Sequence, residues 1–146
     1  MSNYLKLGIT LVVSFVIMYL LTFSMINVIG DFYFNISNGY MALMMVCPMA
    51  IVMLVVMWGM FKNKKLKIAL IAGFVVVFIA AFFMGRAETF VGNEGFLKAM
   101  IPHHSRAILV CQESDISDPE IEKLCDTIIK SQQEEIDQMK RILERY

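Results

Sequence analysis

Three long stretches without a single charged side chain decide what this chain can fold into. They cover residues 7–29, 40–61 and 68–85, or 23, 22 and 18 residues. A helix crossing a bilayer needs about 20 apolar residues, with a working range of about 17–25. Each run meets that range, so three membrane spans are predicted. The first run also resembles a secretory leader, but it exceeds the usual apolar core of about 7–15 residues and no small-x-small cleavage site follows it. An uncleaved anchor is the expectation. Composition agrees: 58% of residues are hydrophobic and 18% charged, against about 45–50% and 25% in soluble domains. So many large apolar residues exclude low-complexity disorder.

A net charge of zero hides an asymmetry. Residues 1–85 carry Lys6, Lys62, Lys64, Lys65 and Lys67 against Asp31 alone, a net of +4. Residues 86–146 carry eight basic and twelve acidic side chains, a net of −4. No basic surface suited to nucleic acid is evident. Lysines flanking spans mark the cytoplasmic side. Lys6 precedes the first span, and "KNKKLK" separates the second from the third. The loop 30–39 has neither Lys nor Arg. The chain is therefore expected to be a multi-pass protein of the cytoplasmic (inner) membrane, N-terminus inside. Loop 30–39 and everything after the third span would lie outside. Phe32, Tyr33, Phe34 and Tyr40 would mark the outer interface, and Tyr4, Trp58 and Phe61 the inner one.

The second span holds seven of the thirteen methionines. Met41, Met45, Met49, Met53 and Met57 follow one another at i+4 and form a slowly winding stripe. Cys47 and Pro48 interrupt it. Two readings stand side by side. Methionine is an adaptable packing residue and Pro48 a kink. Alternatively, thioethers and the Cys47 thiol line a membrane path for a soft metal such as Cu(I).

From residue 86 the pattern changes. A Gly-punctuated connector, 86–95, leads to an outward-facing domain, 96–146. Apolar residues at 96, 97, 100, 101, 107, 108 and 111 repeat with helical period, with Pro102 inside as a kink or a true start. "SDISDPE" then stops and restarts the chain. Asp118 is a candidate N-cap with Pro119 at the first helical position, and Ser117 with Glu120 is the capping-box alternative. A second helix follows, acidic at its start and closed by Lys140, Arg141 and Arg145 as the helix dipole prefers. The fold class is thus all-α: three transmembrane helices (1–85) followed by an extracytoplasmic helical hairpin.

Candidate chemistry concentrates in that hairpin. The only two histidines, His103 and His104, are adjacent, and Met100 lies three and four residues before them on the same helical side. Cys111 comes two turns after His104. On the second helix Cys125, Gln132 and Met139 recur every seven residues. Folding about residue 118 would set His104 opposite Gln132 and Met100 near Glu135 and Ile136, within a turn of Met139. Thioether, imidazole and thiol together suit Cu(I) or Ag(I), and imidazole also suits Cu(II). Cys111 and Cys125 sit almost symmetrically about the turn, so they are also placed for a disulfide. Hydrolytic and di-iron readings lack their motifs: there is no HExxH and no Glu-x-x-His. No oxyanion hole accompanies Cys111, and no CxxC marks a thiol oxidoreductase. An enzyme is not expected.

"FLKAMIPHHSRAILVC" followed by "DPEIEKLCDTIIKSQQEEIDQM" resembles the helical family called domain of unknown function 305. The likeness runs over about 96–143 and is carried by M-I-P-H-H at 100–104 and by Gln132, Glu135, Ile136 and Met139. The Met-rich span ending in "KNKK" is similar to membrane-anchored members. The resemblance implies a ferritin-like helical bundle, of which the hairpin would be half, and copper binding in the cell envelope. By position it implies Met100, His103, His104 and Met139 as copper ligands. Two departures stand out. Val110 occupies a position where the family has methionine, and Cys111 and Cys125 replace residues that are often small. The thiols either make up the lost sulfur or pair with each other.

The leading expectation is a membrane-anchored copper-binding protein acting in buffering, resistance or delivery, with an envelope metallochaperone or transporter as a partner. The competing one is a structural or assembly subunit whose hairpin docks on a membrane partner without metal. Two helices cannot bury their shared apolar faces alone, so a homodimer through 96–143, closing a four-helix bundle, is expected.

Overall fold

The structure, a computed structural model, describes residues 2–146. The described residues form five α-helices, two short 3-10 turns and no strand. The helices are α1 (Asn3–Leu21), α2 (Ile36–Val56), α3 (Lys64–Arg86), α4 (Asn93–Glu113) and α5 (Pro119–Leu143). The 3-10 turns are Ile29–Asp31 and Trp58–Met60. The chain divides into two compact units. One comprises the residues up to Thr22 together with Ser37–Thr89, the other Phe23–Ile36 together with Phe90–Tyr146.

In the first unit α1, α2 and α3 are each long and apolar enough to cross a membrane. Most of α1 and α3 is exposed, including Val12, Val16, Val76 and Phe83, a surface that suits an apolar surrounding and not water. Helix α2 is the most enclosed of the three. Ala42, Val46, Ala50 and Leu54 of this helix are all buried, and small residues such as the two alanines let helices approach closely. At one end Leu7, Leu54 and Phe61 form a core against which Tyr4, Met53, Met57 and Phe74 pack. At the other, Tyr40 donates to the Thr89 carbonyl at 2.6 Å and Ser37 to Glu88 at 2.6 Å. A Cβ added at Gly85 would stand 3.2 Å from Tyr40 Cβ.

Span boundaries differ from the sequence expectation. The apolar run 7–29 is one helix only as far as Leu21. Thr22 turns its hydroxyl onto the Tyr19 carbonyl at 2.6 Å, and the remaining apolar residues serve the second unit instead. The expected lysine loop is largely helix. Asn63 Oδ1 accepts from the Leu66 amide at 3.1 Å, and this N-cap starts α3 at Lys64.

The second unit is built on a hairpin of α4 and α5. Asp118 Oδ1 accepts from the Glu120 and Ile121 amides at 2.8 and 3.4 Å. Pro119 follows at the first position, and Lys140 and Arg141 occupy the last turn. Gly92 is the N-cap of α4. Cys111 and Cys125 form a disulfide with Cα atoms 5.3 Å apart. Leu97, Ile101 and Ile108 of α4 meet Ile136 and Met139 of α5 in one core.

What covers this hairpin is the segment Phe23–Ile36. It is drawn together by aromatic contacts, with Phe23 and Phe32 at 4.5 Å and Phe32 and Phe34 at 5.0 Å between ring centroids. The Asn27 amide donates to Ser105 Oγ at 2.8 Å. Asp31 is buried and receives Lys140 Nζ of α5 at 2.6 Å. Asn35 solves a problem that Pro102 creates. Proline has no N–H for the carbonyl four residues before it, and the Lys98 carbonyl instead accepts from Asn35 Nδ2 at 3.4 Å. The apolar faces expected to need a second copy are thus largely covered within one chain. Leu97, Ile108 and Ile136 are buried, while Val110, Ile121 and Leu124 stay exposed.

Lys140→Met leaves the Asp31 carboxylate buried without its cation and should cost about 2–3 kcal/mol, the Lys140 end being partly solvated. Asp31→Asn should cost less, because it frees an ammonium that can reach water. Trypsin protection of the hairpin during thermal unfolding of the detergent-solubilised chain measures both. Replacing Cys111 and Cys125 with serine should cost about 3 kcal/mol in the same assay, the value for a closed loop of this length.

Candidate metal centre

Helix α4 presents Met100, His103 and His104 within one turn, and α5 presents Glu135 and Met139 one turn apart. Adjacent helical residues point about 100° apart, so His103 and His104 cannot share a direction. His104 turns inward and is buried, whereas His103 is exposed, with ring centroids 5.9 Å apart. Met139 is buried in the hairpin core, and Met100 packs against the same core.

Across the hairpin His104 meets Glu135, not Gln132. Its Nδ1 lies 3.0 Å from Glu135 Oε2. The expected pairing was three residues out because helical side chains lean toward their own N-terminus. In an antiparallel hairpin His104 leans away from the connecting loop and Glu135 leans toward it. Met100, one turn before His104, and Met139, one turn after Glu135, pack on the same core.

The His104–Glu135 contact has the distance of an ion pair without the alignment of a hydrogen bond, and Nδ1 is buried with no hydrogen-bond partner among the described residues. Burial pushes the His104 pKa below its ordinary value. The Glu135 carboxylate pulls it back up, and neighbouring His103 adds to the lowering. The result favours a neutral imidazole, the form that donates an electron pair to a metal.

The remaining sequence candidates separate. Cys111 and Cys125 are joined in the disulfide, so in this state neither offers a thiolate. The methionine stripe, which runs through α2 to Met57 just beyond its end, does not stay on one face. Steps of four residues drift about 40° each against a period of 3.6. Met41 and Met45 are exposed, while Met53 and Met57 pack into the core of the first unit. Cys47 is buried in α2 as a free thiol. Among the described residues no three His, Cys, Asp or Glu side chains gather as a metal group, so any metal here would depend on the thioethers. Sequence reasoning did not single out Glu135 as the partner of His104, nor Asp31, Asn35 and Ser105 as supports. Asp31 had one signal: it is the sole acid in the first 85 residues.

The fold and this site define a helical chain with three span-length helices and a disulfide-linked His/Met hairpin. The family model described as Domain of unknown function (DUF305) matches residues 86–143. An uncharacterized protein of Acanthamoeba polyphaga mimivirus is 32% identical over 136 residues, covering 91% of this chain and 88% of that protein. The chain belongs to the DUF305 family. The viral likeness is too long to be confined to the hairpin. No solved structure matches the chain.

His104 gives a signed pH dependence. Its folded pKa lies below the ordinary value of 6.5, so the unfolded state takes up the proton first as pH falls. Its contribution is constant at higher pH and is lost from about 6.5 downward to the lowered folded value. Thermal unfolding at pH 7.5 and 5.5 should show a stability loss that is smaller in His104→Gln. Equal losses in the two proteins would contradict this assignment.

Proposed function

We propose that the chain is a membrane-anchored binder of a soft metal ion, Cu(I), held between Met100, Met139 and the imidazole of His104. Its role is buffering, resistance or delivery without catalysis. The observation that carries the reading is a buried imidazole nitrogen without a hydrogen-bond partner, on the side of the hairpin where two thioethers share one core. Thioether and imidazole are donors that Cu(I) and Ag(I) accept readily. Glu135 sits beside the histidine and is half exposed, able to move as a metal enters. His103 faces solvent and serves as an outer, secondary donor, and with Cys111 and Cys125 paired the sulfur donors of this reading are Met100 and Met139.

The proposed setting is a multi-pass protein of the cytoplasmic membrane with its N-terminus inside and the chain after the third span outside. The lysine bias supports this orientation, and a disulfide suits an oxidising compartment. In this reading the hairpin is half of a ferritin-like bundle. The exchange partner would be an envelope metallochaperone or transporter.

The test is Cu(I) titration of the full-length chain in detergent against a competing chelator. One ion should bind per chain, with affinity at least about tenfold weaker in Met100→Leu/His104→Gln/Met139→Leu, a loss of about 1.4 kcal/mol or more. Ag(I) should compete and Zn(II) should not. Equal affinity of wild type and triple variant would overturn the reading.

A second reading has its own observation. Val110 and Leu124 are exposed next to the two disulfide cysteines, and Ile121 is exposed one turn earlier. A second copy of the hairpin seated there would close a four-helix bundle, and a chain that pairs in this way without binding metal would be a structural subunit. Ile121→Glu/Leu124→Glu would then convert a dimer to a monomer in light scattering and leave Cu(I) affinity unchanged.

A further inference from the structure

We infer that one end of the first unit is a binding surface for the headgroup of an anionic phospholipid, formed by Lys6, Lys62, Lys64 and Lys65. Two side-chain hydrogen bonds assemble it from distant parts of the chain. Asn3 Nδ2 donates to the Met60 carbonyl at 2.7 Å, and Tyr4 OH to the Asn63 carbonyl at 3.2 Å. The Tyr4 ring also meets Phe61 at 5.1 Å between centroids. The start of α1, with Lys6 two residues beyond Tyr4, is thereby fastened to the connector that carries Lys62 and leads into Lys64 and Lys65.

A fifth lysine has a different task. Lys67 is buried, donates to the Trp58 carbonyl at 2.8 Å and lies 3.8 Å from the centroid of the Trp58 ring. It holds the turn closed. The other four are exposed and none forms an ion pair among the described residues. No acid of this unit can neutralise them. Its sole carboxylate is Glu88, which lies just past the C-terminal end of α3, opposite Lys64 and Lys65 on that helix, and is engaged by Ser37. Four uncompensated cations are thus left on one surface, where each basic residue near an anionic membrane contributes attraction that adds to the others.

The surroundings select a lipid over a free anion. Leu5, Trp58, Met60, Leu66 and Ile68 are exposed beside the lysines. They offer apolar area that an acyl chain can cover and inorganic phosphate cannot. Lysine stems lie along such a surface while their ammonium groups reach the headgroup. The surface involves no residue of the metal centre, so it stands or falls independently of the copper reading.

Trp58 is the only tryptophan of the chain and is partly exposed, which makes it an internal probe. The full-length protein in mixed micelles would be titrated with phosphatidylglycerol or phosphatidylcholine carrying brominated acyl chains. Half-quenching of Trp58 is expected at about a fivefold lower mole fraction of the anionic lipid. The preference should vanish when Lys6, Lys62, Lys64 and Lys65 become Gln, and persist when all four become Arg, which controls for folding. Equal quenching by the two lipids would overturn the inference, as would loss of preference in the folded arginine variant. Displacement of phosphatidylglycerol by millimolar inorganic phosphate would also overturn it, by assigning the cluster to a free anion.

Discussion

A carboxylate withdrawn from water must find a cation, and for Asp31 that cation is Lys140. The two residues lie 109 positions apart in sequence, yet the second unit depends on their meeting. Asp31 belongs to a segment that would otherwise be an exposed apolar loop, and Lys140 to the last turn of α5, where a positive charge also suits the helix dipole. Their contact holds the segment over the hairpin. The Asn27–Ser105 and Asn35–Lys98 bonds then fix it on α4. Hydrophobic burial supplies most of the gross attraction, but burial has no direction. The polar contacts decide where on the hairpin the segment lies.

Much of this architecture was legible in the sequence because it is local. Apolar runs of span length, the Asp118-Pro119 start and the basic end of α5 are signals read within a few residues. The placement of Phe23–Ile36 was not. Its apolar residues continue the first span without a break in composition, and nothing local distinguishes a lipid-facing leucine or isoleucine from one bound for another surface. Only Thr22 and the isolated charge of Asp31 hint at the boundary, and both gain meaning from partners far along the chain. The candidate site was partly legible for the same reason. Met100, His104 and Met139 could be placed on facing helices by counting, whereas the three-residue offset at Glu135 comes from the lean of side chains along antiparallel axes.

Pro102 shows how one local fault organises its surroundings. A proline inside a helix removes an N–H and leaves a carbonyl without its ladder partner. Here the vacancy falls on Lys98, on the part of α4 that the Asn35 side chain reaches, so the defect becomes an attachment point. The cost of interrupting α4 is offset by a contact that an unbroken helix has no carbonyl to make. Pro102 also stands immediately before the two histidines. The segment Phe23–Ile36, a strap over the hairpin, is therefore bonded to α4 on both sides of them, through Lys98 and through Ser105, which lies next to His104.

That attachment bears on the proposed chemistry. A buried polar nitrogen without a hydrogen bond is a cost that packing elsewhere must offset. Here the helix bearing His104 is tied by the strap and its core, and Glu135 lies near without aligning. A water molecule could satisfy such a nitrogen only in a polar recess with further partners. A soft cation places opposite demands on its surroundings. It accepts the imidazole lone pair and the thioether sulfurs together, and it is bound best where water is scarce. In the proposed reading, the feature that weakens the metal-free hairpin is the one that would strengthen the loaded form. Binding would then stabilise the folded state in proportion to the logarithm of free metal over its dissociation constant, linking occupancy of the site to the rigidity of α4 and its strap.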